Sequence, residues 1–224
     1  DDLYVLRSNS PNRSIERLPL ATVNGGFQPF VPPGDGPITR LSIAKDALFY
    51  ESVPPNGVGK RLYRRAWDAE ASTQVLPSVD TVYVNAEPYR SGGLVLSTGW
   101  SKFFQISRLD GQGTLTLTDL QPLPAGLDAD AFESTVVDIP SHDGALVPLS
   151  IVTPRGQRRD GRTPFLLAGY GAYGSVSAPV LGPSDLAYAT FGIGFAKVSI
   201  RSIVPLARSS GAAKRSTVSR TCVS

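Results

Sequence analysis

The sequence predicts a mixed fold: a partial β-propeller of about three blades, followed by the first strands of an α/β domain. Two observations carry that prediction. Short β-rich runs recur through the first half of the chain at spacings of 45 and 46 residues. Beyond about Pro122 the order becomes apolar run, Gly-rich loop, short helix and second apolar run, which is how a parallel strand pair with a helical crossover reads. Composition agrees, because 224 residues with 41% hydrophobic content, 22 Gly and 19 Pro describe a turn-rich globular chain rather than a disordered one.

The repeat begins with "LYVLRSN" from Leu3, "LFYESV" from Leu48 and "LVLSTGW" from Leu94. Each is followed by a run ending in charge or a turn: "SIERLPL" near Ile15, "KRLYRRAWD" near Leu62 and "FFQISRLD" near Ile106. A shorter third run comes next, "FQPFVP", "STQVLPS" and "LTLTDL". "ITRLSIA" and "TVYVNAEPY" precede the second and third units and supply one more strand each. About four short strands per ~45 residues, separated by Gly, Pro and Asp turns, is the pattern of propeller blades. An unrepeated β-sandwich is the plain alternative, since short β runs also recur by chance. Propellers close with roughly four to eight blades. At most three are predicted, so exposed edge strands and poor solubility are expected of this half alone, which reads as a fragment.

In the second half, "PLPAGLDADAFEST" reads as a linker with a short acidic turn, and "TVVDIPSHDGALVPLSIVTP" as two strands joined at His142-Asp143-Gly144, where Asp-Gly suits a tight hairpin. "TPFLLAG" is a continuous apolar run of the kind buried on both faces of a parallel sheet. "PSDLAYATFG" predicts a short helix with Ser184 as its N-cap, Asp185 in the first turn and Gly192 as its stop. Ile193 to Ile200, "IGFAKVSI", is the second buried strand. The domain boundaries implied are 1–124, 125–200 and a distinct tail over 201–224.

Charge and rare residues exclude several classes. The formal charge of +3 comes from the tail, where Arg201, Arg208, Lys214, Arg215 and Arg220 face no acid; without them 17 basic residues stand against 19 acidic ones. That distribution gives no basic surface for nucleic acid on the globular part. One cysteine, Cys222, and one histidine, His142, leave no intrachain disulfide and no Cys- or His-rich metal site, so neither metal nor cofactor is expected. No run reaches the ~18 apolar residues of a membrane span, and the acidic start "DDLYVLRSNS" lacks the h-region of a signal peptide. The triplet Asn12-Arg13-Ser14 matches a glycosylation acceptor, a pattern common by chance.

"LLAGYGAYGS" satisfies G-x-G-x-x-G through Gly169, Gly171 and Gly174. A dinucleotide site also needs a helix directly behind the glycines and an acid about 20 residues on. Here "SVSAPVLGP" delays the helix, and the next strand ends in Ser199 and Ile200. Dinucleotide binding is therefore set aside. Ordinary packing at a strand end would account for Tyr170 and Tyr173 on the residues alone.

"SHDGALVPLSIVTPRGQRRDGRTPFLLAGYGAYG" resembles the entry into the peptidase domain of the prolyl oligopeptidase family, serine peptidases whose α/β-hydrolase domain is capped by a seven-bladed propeller. "LYVLRSNSPNRSIERLPL" resembles a stretch of that propeller, and "PSDLAYATFGIGFAKVSIR" the helix and strand that follow the loop, so the resemblance covers roughly residues 1 to 201. It implies that Tyr170 donates its phenolic O–H to the oxyanion of the tetrahedral intermediate, a contribution of about 3 kcal/mol to the transition state for a preorganised donor. It implies that Tyr173 helps line the pocket for the residue before the scissile bond. The partner implied is a short peptide substrate, cleaved after proline in preference to the basic-residue specificity of a related branch. Family members are often soluble cytoplasmic or periplasmic enzymes, of which the cytoplasm is preferred here; compartment and oligomeric state are not marked in the sequence.

The chain departs from the family after Arg201, where "SIVPLARSSGAAKRSTVSRTCVS" replaces the expected Gly-rich, acidic stretch. No serine lies in a G-x-S-x-G elbow, and the triad Asp and His that should follow are missing. His142 lies in the hairpin turn without a marked Ser or Cys partner, and Cys222 lies in the tail, so neither supplies the chemistry. The abrupt change predicts an out-of-frame or truncated product, inactive alone. A non-catalytic binding fragment derived from the propeller, or a product with no function, are the alternatives.

Overall fold

The computed structural model describes residues 2–8, 12–76, 80–121, 128, 131–158, 160–170 and 177–198. Three antiparallel sheets come first. The first holds β1 (Asp2–Arg7), β2 (Ser14–Pro19) and β3 (Gln28–Val31), with a kinked 3-10 segment at Leu20–Gly25. The second holds β4 (Ile38–Ile43), β5 (Ala47–Ser52), β6 (Arg61–Ala66) and β7 (Thr73–Leu76) in that order. The third holds β8 (Thr81–Asn85), β9 (Gly93–Thr98), β10 (Gln105–Leu109) and β11 (Leu115–Leu117) in the same up-and-down order. Every run of the predicted repeat is a strand, and the sheets of the described residues form an open, partial propeller-like β fold. The sandwich alternative would pack two sheets over one core, whereas here the middle sheet is covered on both faces.

Alternation along β5 produces that double burial. Leu48 and Tyr50 pack with Tyr4, Ile15 and Val31 of the first sheet, while Ala47, Phe49 and Leu62 pack with Val82, Val84, Val95 and Leu109 of the third. Tyr4, Phe30 and Trp67 make edge-on and tilted ring contacts across the first seam, the Tyr4 and Trp67 centroids 5.3 Å apart. Polar staples cross the second seam. Glu51, fully buried, pairs with Lys60 at 2.8 Å and accepts the Val84 N–H, and Asp46 accepts the Gly92 N–H at 2.8 Å while pairing with Arg64. Gly92 takes φ 73°, and a Cβ there would collide with the Leu109 carbonyl, so the turn requires glycine. The 46-residue step places Leu94 opposite Leu48, yet Leu94 is 39% exposed and Val95 is buried in the seam. A one-residue slip exchanges the faces of a strand, so 45 residues is the step that preserves the inward face.

The fourth sheet is mixed, in the order β12 (Phe132–Pro140), β13 (Leu146–Pro154), β15 (Gly194–Val198), β14 (Phe165–Gly169). β12 and β13 form the expected hairpin, closed by Ser141 N–H to Ala145 O and Gly144 N–H to Ser141 O. β14 and β15 run parallel and are joined through helix α1 (Pro183–Thr190). Two expectations are corrected here. Ser184 is not the N-cap: Gly182 holds that position and its N–H donates to Asp185 Oδ2 at 3.0 Å, because Pro183 takes the first helical position and moves the cap back by two residues. β14 is not buried on both faces: all five of its residues are exposed, because it lies at the sheet edge, with β15 its one paired strand among the described residues. β15 begins buried, as expected. Gly192, at φ 71°, ends the helix by donating to Ala189 O.

Candidate functional site

Parallel strands present ligands at their carboxyl ends. β14 and β15 end together, with Gly169 in register with Val198 and Ala168 with Lys197. Tyr170 is the first residue beyond β14 and is 52% exposed, so its side chain stands open to solvent at that end of the sheet. Tyr173, Gly171 and Gly174 lie outside the described residues, as do the tail and Cys222.

The face of the sheet that carries Phe195 and Lys197 is covered. Trp100 and Phe103, from the turn after β9, pack with Phe132, Val152, Leu181, Ala189 and Phe195. Lys197 Nζ lies 3.2 Å from Asp185 Oδ2 and 4.8 Å from the centroid of the Trp100 ring. Asp185 therefore both caps α1 and holds the ammonium of β15. The third propeller-like sheet thus contacts the very strand pair that ends at Tyr170. Sequence reading identified Asp185 only as a first-turn acid and missed Lys197 and Trp100, whose juxtaposition depends on contacts nearly 100 residues apart.

The opposite face is open. Its cavity of about 380 Å³ is lined by Val137, Ile151, Thr153, Gln157, Arg158 and Phe165 among others. Gln157, Arg158 and Phe165 lie toward the start of β14, while Val137 is level with Gly169 through Leu149 and Val198.

His142 is exposed at the β12–β13 turn, as expected, with its Nδ1 3.3 Å from Ser141 Oγ. Asp143 holds its carboxyl below the usual range by accepting first the Ala145 N–H and then a bond from Ser141. These bonds build a turn. The antiparallel register of β13 with β15 brings the turn to the same end of the sheet as Tyr170, but β15 lies between the hairpin and β14. At about 4.8 Å per strand β14 is roughly 10 Å from β13 and 14 Å from β12, the strands the turn joins, so the imidazole and the phenol do not share one reacting group. Among the described residues no three His, Cys, Asp or Glu side chains are grouped to hold a metal ion. No helix among them is long and apolar enough to cross a membrane.

No family model matches the chain. A dual function macrocyclase-peptidase of Amanita bisporigera is 27% identical over 203 residues, which cover 86% of this chain and 27% of that protein. One solved structure, from an analysis of two prolyl endopeptidases, matches with a TM-score of 0.77 at 20% identity over 89% of this chain and 30% of its own. Oligopeptidase B from Leishmania major gives the same TM-score at 16% identity and the same coverage. Prolyl oligopeptidase B from Galerina marginata, bound to a 25mer macrocyclization substrate, matches with a TM-score of 0.72 at 21% identity over 90% of this chain and 30% of its own. At these identities the structural likeness establishes the fold. The sequence relatives and structural neighbours are prolyl oligopeptidase family members, and the match covers most of this chain. The chain spans under a third of the length of the relatives and structures it matches.

Proposed function

From the premise that its relatives are prolyl oligopeptidase family members, we propose that this chain is part of a serine-type oligopeptidase that hydrolyses short peptides, with cleavage after proline as the preferred specificity. Residues 1–124 are read as propeller blades, 125–200 as the start of the hydrolase domain and 201–224 as a tail foreign to it. The observation that carries the reading is Tyr170, exposed at the carboxyl end of β14 in the Gly-rich loop, where a phenolic O–H can meet a developing oxyanion. Tyr173 is assigned to the pocket before the scissile bond. The complete mechanism needs a serine to attack the carbonyl, a histidine to carry its proton and an aspartate to orient that histidine. No G-x-S-x-G occurs in these 224 residues, so the chain alone is inactive.

Two assays test this. The purified chain should neither hydrolyse chromogenic Gly-Pro or Arg peptides nor take a fluorophosphonate label; turnover with a mapped serine adduct would overturn the inactivity. DNA around codon 201 should yield a frame encoding the family's continuation. In the full-length product, faster turnover of the Gly-Pro peptide than of the Arg peptide is expected, and the reverse order would replace the specificity. Tyr170→Phe in that product should lower kcat by about 10²-fold with little change in KM, as loss of a donor felt only in the transition state does. An unchanged kcat removes Tyr170 from the reaction.

A further inference from the structure

We propose that Lys197, Asp185 and Trp100 form a positioning device through which the propeller-like sheets set the placement of the strand pair ending at Tyr170; its catalytic meaning rests on the role proposed for that tyrosine. Trp100 leaves the third sheet in the turn after β9, is 5% exposed, and its indole N–H meets no acceptor among the described residues. Packing rather than a hydrogen bond therefore fixes the ring, which makes an edge contact with Phe195 at 6.5 Å. Lys197 Nζ stands 4.8 Å from the Trp100 centroid and 5.3 Å from that of Phe195, close enough for the ring faces to attract the cation.

The same ammonium is 3.2 Å from Asp185 Oδ2, and that oxygen also accepts the Gly182 N–H at 3.0 Å. Asp185 is 6% exposed, so removing either donor leaves a poorly solvated carboxylate short of a partner. Two anchors, one on the strand beside β14 and one at the start of α1, consequently meet at one side chain. The Lys197 backbone is in register with Ala168, two residues before Tyr170, and its ammonium secures Asp185 and Gly182 at the start of α1. Withdrawing Trp100 with its sheet removes one wall of the ammonium's site and loosens both anchors together. Such coupling runs through contiguous packing and the ion pair, which have one arrangement with Trp100 in place and another without it.

Amide hydrogen exchange on the full 224-residue chain tests the device. Lys197→Met and Trp100→Leu should each speed exchange about tenfold at Ala168 to Tyr170 and at Gly182 to Asp185, and the double variant should add little beyond either single one, since the residues act in one network. Lys197→Arg, which keeps the charge, should restore most of the protection. Trp100→Phe preserves the apolar contact and keeps the comparison readable if the leucine variant unfolds. With 3-fluorotyrosine incorporated, Trp100→Phe should shift the Tyr170 resonance, identified by its loss in Tyr170→Phe, and should not shift it further in the Lys197→Met background. Changes confined to residues 99–103, or single effects that multiply in the double variant, would overturn the proposal. An unaltered kcat on Tyr170→Phe in the full-length product, with the exchange pattern as expected, would instead remove only the catalytic meaning.

Discussion

β5 and β14 invert the burial their sequences suggest. β5, "ALFYES", ends in a carboxylate and a hydroxyl, yet all six residues are buried. β14, "FLLAG", carries no polar side chain, yet all five are exposed, Leu167 at 66%. Composition describes what a strand could bury, while its neighbours decide what it does bury. β5 lies between two other sheets, and its alternate residues are claimed by different seams. β14 has β15 on one edge and, among the described residues, nothing paired on the other.

The largest expected effects break this contrast directly. Phe49→Ala on β5 should cost about 4 kcal/mol in urea unfolding, since a fully buried aromatic leaves a cavity in the second seam. Leu167→Ala on β14 should change stability by less than about 0.5 kcal/mol, as exposed sites do. A comparable loss at both positions would mean that β14 is covered in solution. Leu167→Lys sharpens the point, because a charge on an exposed apolar edge blocks strand addition; light scattering should show less self-association with the same unfolding midpoint.

Glu51→Ala should come next, at about 3 kcal/mol, because it strands the Lys60 ammonium and the Val84 N–H at the seam between the second and third sheets. Glu51→Gln should lose less, since an amide oxygen can still accept from Val84. Equal losses for the two variants would show that the charge, rather than the acceptor, holds the seam. Asp185→Asn should cost about 1 kcal/mol, the usual scale of a helix cap and a partly exposed ion pair. Helical far-UV signal and the unfolding midpoint report it.

Strand positions were legible because their signals are local. Each blade run, the Asp-Gly hairpin and the βα crossover carry their turn residues with them, so strand, turn and helix followed from periodicity. Burial was not legible where it depends on distant neighbours, as at β14 and Glu51. The helix cap was misread by two residues, from Ser184 to Gly182, because Ser184 matches the local preference while Pro183 fixes where the helix starts. A repeat counted from run starts carries no information on which face looks inward, so the burial of Val95 rather than Leu94 is not legible in the spacing. Of the site, Tyr170 could be singled out by the family resemblance of its loop, since its glycines alone are equally consistent with packing at a strand end. Lys197 and Trp100 could not, because nothing in either local sequence marks the ring contact between them.

Tyr4 has the smallest effect at pH 7, and alkaline unfolding, where its effect appears, is the most direct test of whether the two regions melt as one. Burial first, and the neighbouring Asp2 charge second, push the Tyr4 phenol up to about 12. An unfolded tyrosine releases its proton near 10, so between about pH 10 and 12 the folded chain binds more protons than the unfolded one. Tyr4 therefore contributes fully below pH 10, and its contribution is lost as pH rises toward 12. Tyr4→Phe should flatten that part of the stability profile and leave pH 7 little changed. The two tryptophans separate the regions. Trp67 packs on Tyr4 in the first seam, and Trp100 packs against Phe195 of the mixed sheet. With 5-fluorotryptophan incorporated into the otherwise unaltered chain, the resonances of Trp67 and Trp100 should show the same alkaline midpoint if the Trp100 contacts bind the sheets into one cooperative unit. A loss seen by Trp67 alone would mean that the mixed sheet stands or falls by itself, and that the coupling at Lys197 is too weak to carry strain to Tyr170.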